Sequence, residues 1–206
     1  SAHRVTPYRV DSVFADLVGT DVRLHIRLPM GSRLARLGGS KTGTAAFPDG
    51  VGVPENQVGV IAIPDGTIGS PADAAVLALR FIGTPYLWGG GSAFGFDCSG
   101  LVQFCYAMQG IQLRRDADIQ RSDTRFRQVP TDRHECGDLV FFGSDDRITH
   151  VGMDLGDGTF VHAAGGTGVI VTPWGDDRFS GAFVDARRMD LDLAQTPPQR
   201  HEALDR

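Results

Sequence analysis

The chain has 206 residues, 41% of them hydrophobic, which suffices for one large domain or two small ones with a true core. Lys and Arg total 20 against 25 Asp and Glu, a net charge of −5 that argues against nucleic acid or any other polyanion as partner. Only three cysteines, Cys98, Cys105 and Cys136, exclude a disulfide scaffold, and no run reaches the ~20 apolar residues of a membrane-spanning helix. Glycine is the anomaly: its 27 residues are nearly twice the share of average proteins, roughly 7%.

Along the chain, residues 1–68 read as a small all-β barrel. Short apolar runs such as Val22–Leu28 and Gln57–Ile63 are bounded by Gly, Pro and Asp, with turn dipeptides at Asp49-Gly50 and Asp65-Gly66. The opening segment SAHRVTPYRV lacks the charged-then-apolar layout of a signal peptide. This favours a cytoplasmic protein, with a secreted or periplasmic location the alternative for a trimmed mature form. A domain boundary is expected at Ile68–Gly69. The helix after it has Ser70 as N-cap, Pro71 at its first position and Asp73 at the positive end of the dipole, and runs on to Phe81 before Gly83 stops it. A glycine-rich loop, 83–91, leads into a second helix from Asp97-Cys98 to Met108. Strands follow at Asp138–Phe142, Thr149–Leu155, Thr159–Ala164, Val169–Thr172 and Ala182–Ala186. A second domain, 69–190, is therefore α+β with helices first and an antiparallel sheet after. The tail 191–206, with Pro197-Pro198 and mixed charge, is expected to be loose.

Cys98 stands apart from the other cysteines because it begins a helix directly after a glycine-rich loop. Unpaired amides and the helix dipole there favour a thiolate, so its pKa is expected to fall. Cys105 lies seven residues along the same helix. That places it roughly 10 Å away, too far to bridge to Cys98, and it reads as a packed small hydrophobe. Cys136 has no specific role.

The base candidates come from a hairpin. If the loop is Gly156-Asp157-Gly158, Leu155 pairs with Thr159 and His162 faces Gly152. His150 then lies two residues away on the same face, a diagonal neighbour roughly 7–8 Å off at the backbone. A two-residue loop would put one imidazole on the opposite face. Nucleophile, base and orienter are the parts of an activated-nucleophile site, here Cys98, His150 and His162. Other chemistries fit worse. There is no C-x-x-C or H-E-x-x-H for zinc, and no G-K-[ST] or dinucleotide pattern follows the glycines, so no metal or cofactor is expected.

Pro85-Tyr86-Leu87-Trp88-Gly89-Gly90, Asp97-Cys98-Ser99-Gly100, Gly137-Asp138, His150-Val151-Gly152 and Val161-His162-Ala163 occur in the order that resembles NlpC-type cell-wall peptidases, over about 83 to 186. The resemblance implies a papain-like fold with a Cys-His-His triad at Cys98, His150 and His162. It also implies hydrolysis of peptidoglycan stem peptides after D-glutamate. Arg115-Asp116-Ala117 resembles the segment of γ-D-glutamyl-L-diamino acid endopeptidases in which the aspartate holds the free amine of an N-terminal L-alanine. A carboxylate at Asp116 suits an ammonium group. Tyr86 and Ser99 are further substrate-contact candidates, each with a structural alternative as core aromatic or helix cap, and Trp88 fits cleft wall or core equally. Arg114, Arg115, Arg121, Arg125 and Arg127 interleave with acids and read as a solvated face. The same relatives carry an N-terminal domain resembling bacterial SH3 modules, to which 1–68 corresponds in size. Glu55 and Tyr8 are contact candidates there by residue type alone. Two other readings stand beside the free-peptide endopeptidase: a wall-remodelling endopeptidase acting on intact peptidoglycan, and a non-catalytic wall- or peptide-binding module.

Overall fold

The structure, a computed structural model, describes residues 8–18, 25–36, 44–46, 52–54, 60–62 and 68–199. The chain divides into two compact units, Ser1–Asp65 and Gly66–Arg206.

The described part of the first unit is all β. Its strands are β1 Tyr8–Val10, β2 Phe14–Val18, β3 His25–Pro29, β4 Arg33–Arg36, β5 Thr44–Ala46, β6 Gly52–Pro54 and β7 Val60–Ala62. Five of them form a sheet in the order β6-β5-β4-β1-β7, and β2 pairs with β3 in a separate hairpin. Met30 and Gly31 close the β3–β4 turn, with the Gly31 amide donating to Val10 O at 2.9 Å. Both turn dipeptides, Asp49-Gly50 and Asp65-Gly66, and the candidate Glu55 lie outside the described residues.

The second unit is α+β. Helix α1, Pro71–Ala78, starts with a reciprocal capping box: Ser70 Oγ accepts from the Asp73 amide at 3.1 Å, and the Asp73 carboxylate accepts from the Ser70 amide at 2.9 Å. Asp73 thus does more than meet the dipole. The α-helix ends at Ala78, earlier than the apolar run suggests, and Leu79–Phe81 continue as a 3-10 turn. Two short strands, β8 Gly91–Ser92 and β9 Gly95–Phe96, fold the glycine-rich loop back on itself. Helix α2, Cys98–Met108, is apolar nearly all round, and Leu101, Val102, Cys105 and Tyr106 are fully buried. The buried Tyr106 hydroxyl is satisfied by donating to Gly137 O at 2.6 Å.

After α2 come α3 Ala117–Arg121 and the strands β10 Phe126–Val129, β11 Leu139–Ser144, β12 Arg147–Asp154, β13 Thr159–Ala164, β14 Gly168–Pro173 and β15 Phe183–Met189, with a one-turn helix α4, Asp177–Ser180, before the last strand. The six strands form an antiparallel sheet ordered β10-β15-β11-β12-β13-β14. Helix α2, which begins with the nucleophile candidate, packs on β12 and β13.

Arg127 is exposed as a solvated face requires, but three of the other arginines after α2 are not part of such a face. Arg115 and Arg121 pair with Asp97 and Asp185, and Arg125 is 3% exposed. Arg125 grips Asp123 with Nε and Nη2, and donates to the carbonyls of Gln112 and Thr196 at 2.7 Å each. This grip tethers the described part of the tail expected to be loose, 191–199: Ala194 is buried, and the Asp190 amide donates to Arg125 O at 2.9 Å. Because both charges are desolvated, removing one leaves the other buried and unpaired. Arg125→Ala is expected to cost about 3–5 kcal/mol in urea denaturation; a loss of only a few tenths would contradict this role.

Candidate active site

The β12–β13 register places the two histidines as the three-residue loop requires. Met153 pairs with Val161 and Asp154 with Phe160, and the Leu155 amide donates to Thr159 O at 3.0 Å. The imidazoles meet: His150 Nε2 lies 2.8 Å from His162 Nδ1, with the rings nearly perpendicular at 86°. Gly152 is required for the approach, since a Cβ there would press on Phe160 Cδ2 at 2.9 Å and His162 Cβ at 3.2 Å. On its other side, His162 Nε2 is 2.8 Å from the hydroxyl of Thr172 on β14, a partner that the sequence reading did not single out.

Aromatic rings wall this pair. Phe160 and Phe179 lie 4.7 and 4.8 Å from His162, while Phe142 and Phe179 flank His150 at 5.9 and 5.6 Å between centroids. Burial disfavours the imidazolium, pushing His150 down to about 4 and His162 to about 3.

Cys98 is the first residue of α2, and its amide neighbours converge on the sulfur: the backbone N–H groups of Val151, Ser99 and Cys98 itself. Val151 follows His150 directly, so nucleophile and base candidates come from adjoining stretches of backbone. The expected drop in the Cys98 pKa is not found. At 9% exposure, burial raises the thiol above its ordinary value and outweighs the amides that favour the thiolate. Burial thus favours the neutral form of both groups, the Cys98 thiol and the His150 imidazole.

Asp97 is the hub beside the candidate nucleophile. Its Oδ1 accepts the Gly100 amide at 2.7 Å and caps α2, and its Oδ2 accepts the Gly89 amide at 2.8 Å from the glycine-rich loop. Arg115 forks onto both oxygens, with its Nη1 also donating to Ser99 Oγ at 2.9 Å. Burial alone would raise the Asp97 carboxyl, but Arg115 and the two amides hold it below the usual carboxylate value. Loop and helix approach so closely that a Cβ on Gly100 would collide with Gly90 O. Cys105 is fully buried and Cys136 lies near the Ala72 carbonyl, neither in the cleft; all three cysteines are free.

The cleft over Cys98 has a volume of about 750 Å³. Tyr86, Trp88, Ser99 and Asp116 all line it, with Arg147 to Thr149 on the opposite wall. Trp88 is 86% exposed, which makes it cleft rim rather than core. Burial, with the nearby Cys98 and Asp97, raises the Tyr86 phenol, so it stays protonated as a donor. The Ser99 hydroxyl is committed to Arg115. Asp116 occupies the N-cap position of α3 but makes no side-chain capping bond, and is exposed to the cleft. Of the first-unit candidates, Tyr8 lies on β1. Among the described residues no cluster of His, Cys, Asp or Glu has the arrangement of a metal site.

Residues 83–188, just over half of the chain, match the NlpC/P60 family. The chain belongs to this family. Over 98 residues it is 39% identical to the γ-D-glutamyl-L-lysine dipeptidyl-peptidase of Bacillus subtilis, a match covering 46% of this chain and 32% of that enzyme. Dipeptidyl-peptidase 6 of Lysinibacillus sphaericus is 42% identical over 95 residues, covering 46% of this chain and 33% of the relative. The aligned parts thus span about a third of the length of these curated relatives. Among solved structures, an NlpC/P60 family protein from Bacillus cereus superposes with a TM-score of 0.76 at 26% identity, covering 89% of this chain and 63% of that one. Cys98, His150 and His162 all fall inside the NlpC/P60 segment.

The buried thiol sets a testable pH dependence. Its thiolate share grows only as pH approaches a raised pKa, while His150 stays neutral down to about pH 4. Inactivation of the free protein by iodoacetamide is therefore expected to accelerate through and beyond the ordinary thiol range, about pH 8.5. A plateau reached below pH 7 would mean a preformed thiolate instead.

Proposed function

We propose that this protein is a cysteine endopeptidase that hydrolyses the γ-D-glutamyl–diamino acid bond of peptidoglycan stem peptides with a free N-terminal L-alanine. The observation that carries the reading is the His150–His162 contact at 2.8 Å, on the strand whose Val151 amide meets the Cys98 sulfur. The name of the B. subtilis relative, a γ-D-glutamyl-L-lysine dipeptidyl-peptidase, points to the same class of bond.

In this mechanism the Cys98 thiol gives its proton to His150 as the sulfur attacks the γ-carbonyl of D-glutamate. The tetrahedral oxyanion forms where the amides at the start of α2 and the protonated Tyr86 hydroxyl supply donors. His150 then returns the proton to the departing amine of the diamino acid, leaving a thioester on Cys98. Water, deprotonated by the same imidazole, hydrolyses it. His162 orients His150 throughout. The neutral resting pair costs thiolate at neutral pH but leaves the base free to accept a proton, which is the form that general-base attack needs.

Asp116 is the ammonium-binding residue in this reading. Its carboxylate is not used in capping α3, it opens on the cleft, and a free L-alanine amine is a cation that a glycan-linked stem lacks. The all-β first unit is read as an SH3-like module. A second reading, cleavage of intact wall, draws on the 46% identity over 85 residues to the bifunctional muramidase/DL-endopeptidase CwlT of B. subtilis.

The comparison of L-Ala-γ-D-Glu-diaminopimelate with its N-acetylated form tests the assignment. The free peptide is expected to be cut and the acetylated one spared, with Asp116→Asn raising KM for the free peptide by about tenfold or more. Cleavage of intact peptidoglycan with neither peptide touched would support the wall-acting reading instead.

A further inference from the structure

The polar line through the candidate site does not stop at His162. His150, His162 and Thr172 lie on three consecutive antiparallel strands, β12, β13 and β14. Gly152, two residues from His150, is the residue that His162 packs against. On the far side His162 pairs with Ile170, and Thr172 is two residues beyond it. The three side chains therefore run as one diagonal across the sheet on a single face, each step closed by a contact of 2.8 Å. Thr172 is 1% exposed and His162 is fully buried, so water does not substitute for either partner.

We propose that Thr172 is a positioning residue that fixes His162 in the tautomer protonated at Nε2, and so keeps His150 competent as a base. The inference rests on the catalytic reading of Cys98, His150 and His162 given above. Only one proton occupies the contact between His150 Nε2 and His162 Nδ1. If His150 owns it, His150 Nδ1 carries a free lone pair for the thiol proton. His162 must then hold its proton at Nε2, and that N–H needs an acceptor. The Thr172 hydroxyl oxygen is the acceptor at hand. If His162 owns the shared proton instead, the neutral His150 is protonated at Nδ1 and has no lone pair left to take a proton from sulfur.

The proton transfer itself decides between the two. Once His150 has accepted a proton it is an imidazolium with N–H on both nitrogens, and its Nε2–H has to donate to an unprotonated His162 Nδ1. Only the Nε2–H tautomer of His162 satisfies this, and in a fully buried site that tautomer without an acceptor leaves a donor unmatched. Thr172 thus acts through His162 on the charged state of His150 and touches neither substrate nor sulfur. The orientation of an imidazole by a group on its second nitrogen is a general requirement of such relays.

The first test is nitrogen-15 NMR of His162 in the unmodified protein at neutral pH, where the expected result is protonation at Nε2. Protonation at Nδ1 would overturn the proposal without any variant being made. The second is the pair Thr172→Val, which keeps the side-chain shape and removes the hydroxyl, and Thr172→Ser, which keeps the hydroxyl. Thr172→Val is expected to lower kcat by about ten- to a hundredfold with KM little changed, and Thr172→Ser to restore it. A folded Thr172→Val with kcat close to wild type, or a loss that Thr172→Ser shares, would also overturn it. Should Thr172→Val not fold, the tautomer and the Thr172→Ser kinetics still decide. Cys98→Ala serves as the separate control: activity surviving in it would defeat the catalytic reading, whereas activity lost there but kept in Thr172→Val would defeat only the role of Thr172.

Discussion

Three loop residues, Gly156 to Gly158, set the pairing register on which the candidate site depends. A strand alternates faces at every residue, so a loop one residue shorter would send His150 or His162 to the wrong side of the sheet. The register found, Met153 with Val161, leaves both imidazoles on one face of the sheet, among the rings of Phe142, Phe160 and Phe179. Gly152 completes the constraint by leaving room for the His162 Cβ and the Phe160 ring. Backbone geometry thus brings His150 and His162 into contact, and the same diagonal continues to Thr172.

A second constraint holds Cys98, the candidate nucleophile. The Asp97 carboxylate ties together the α2 N-terminus, the Gly89 amide and the Arg115 fork, so helix, loop and the segment before α3 share one anchor. The cleft walls are therefore positioned by the same group that fixes Cys98. Desolvation works in the opposite electrostatic direction from this order. The packing that holds Cys98 and the histidines also removes water from them, which keeps the thiol protonated and the imidazoles neutral. In the proposed mechanism the proton moves at the moment of attack, with the Val151, Ser99 and Cys98 amides near the sulfur.

Much of this was legible in the sequence where local rules decide. Ser70 and Asp97 announce helix starts because a short polar side chain is needed to cap the first amides. The hairpin was readable because glycines at 156 and 158 leave little choice of loop, and both adopt positive φ. The family resemblance carried by Asp97-Cys98-Ser99-Gly100 and the two histidine motifs agrees with the NlpC/P60 match. Other features were set by distant partners. Arg115 looks like its arginine neighbours until the fold brings it to Asp97, eighteen residues upstream. The Cys98 pKa follows from tertiary burial, which no helix-start rule contains. Thr172 is an ordinary strand threonine in sequence, and Phe179 lies on a one-turn helix too short to leave a periodic signal. The five-residue α3 and the edge strand β10 were missed for the same reason.

The proposed relay runs from Cys98 through His150 to His162, and His150 is the group through which its proton passes. The most direct measurement is the steady-state hydrolysis of L-Ala-γ-D-Glu-diaminopimelate by folded His150→Ala. The expected result is a fall in kcat of about a thousandfold or more, with KM changed only a few-fold. A variant that keeps kcat within about tenfold of wild type would show that the proton leaves Cys98 by another route, and would contradict the relay.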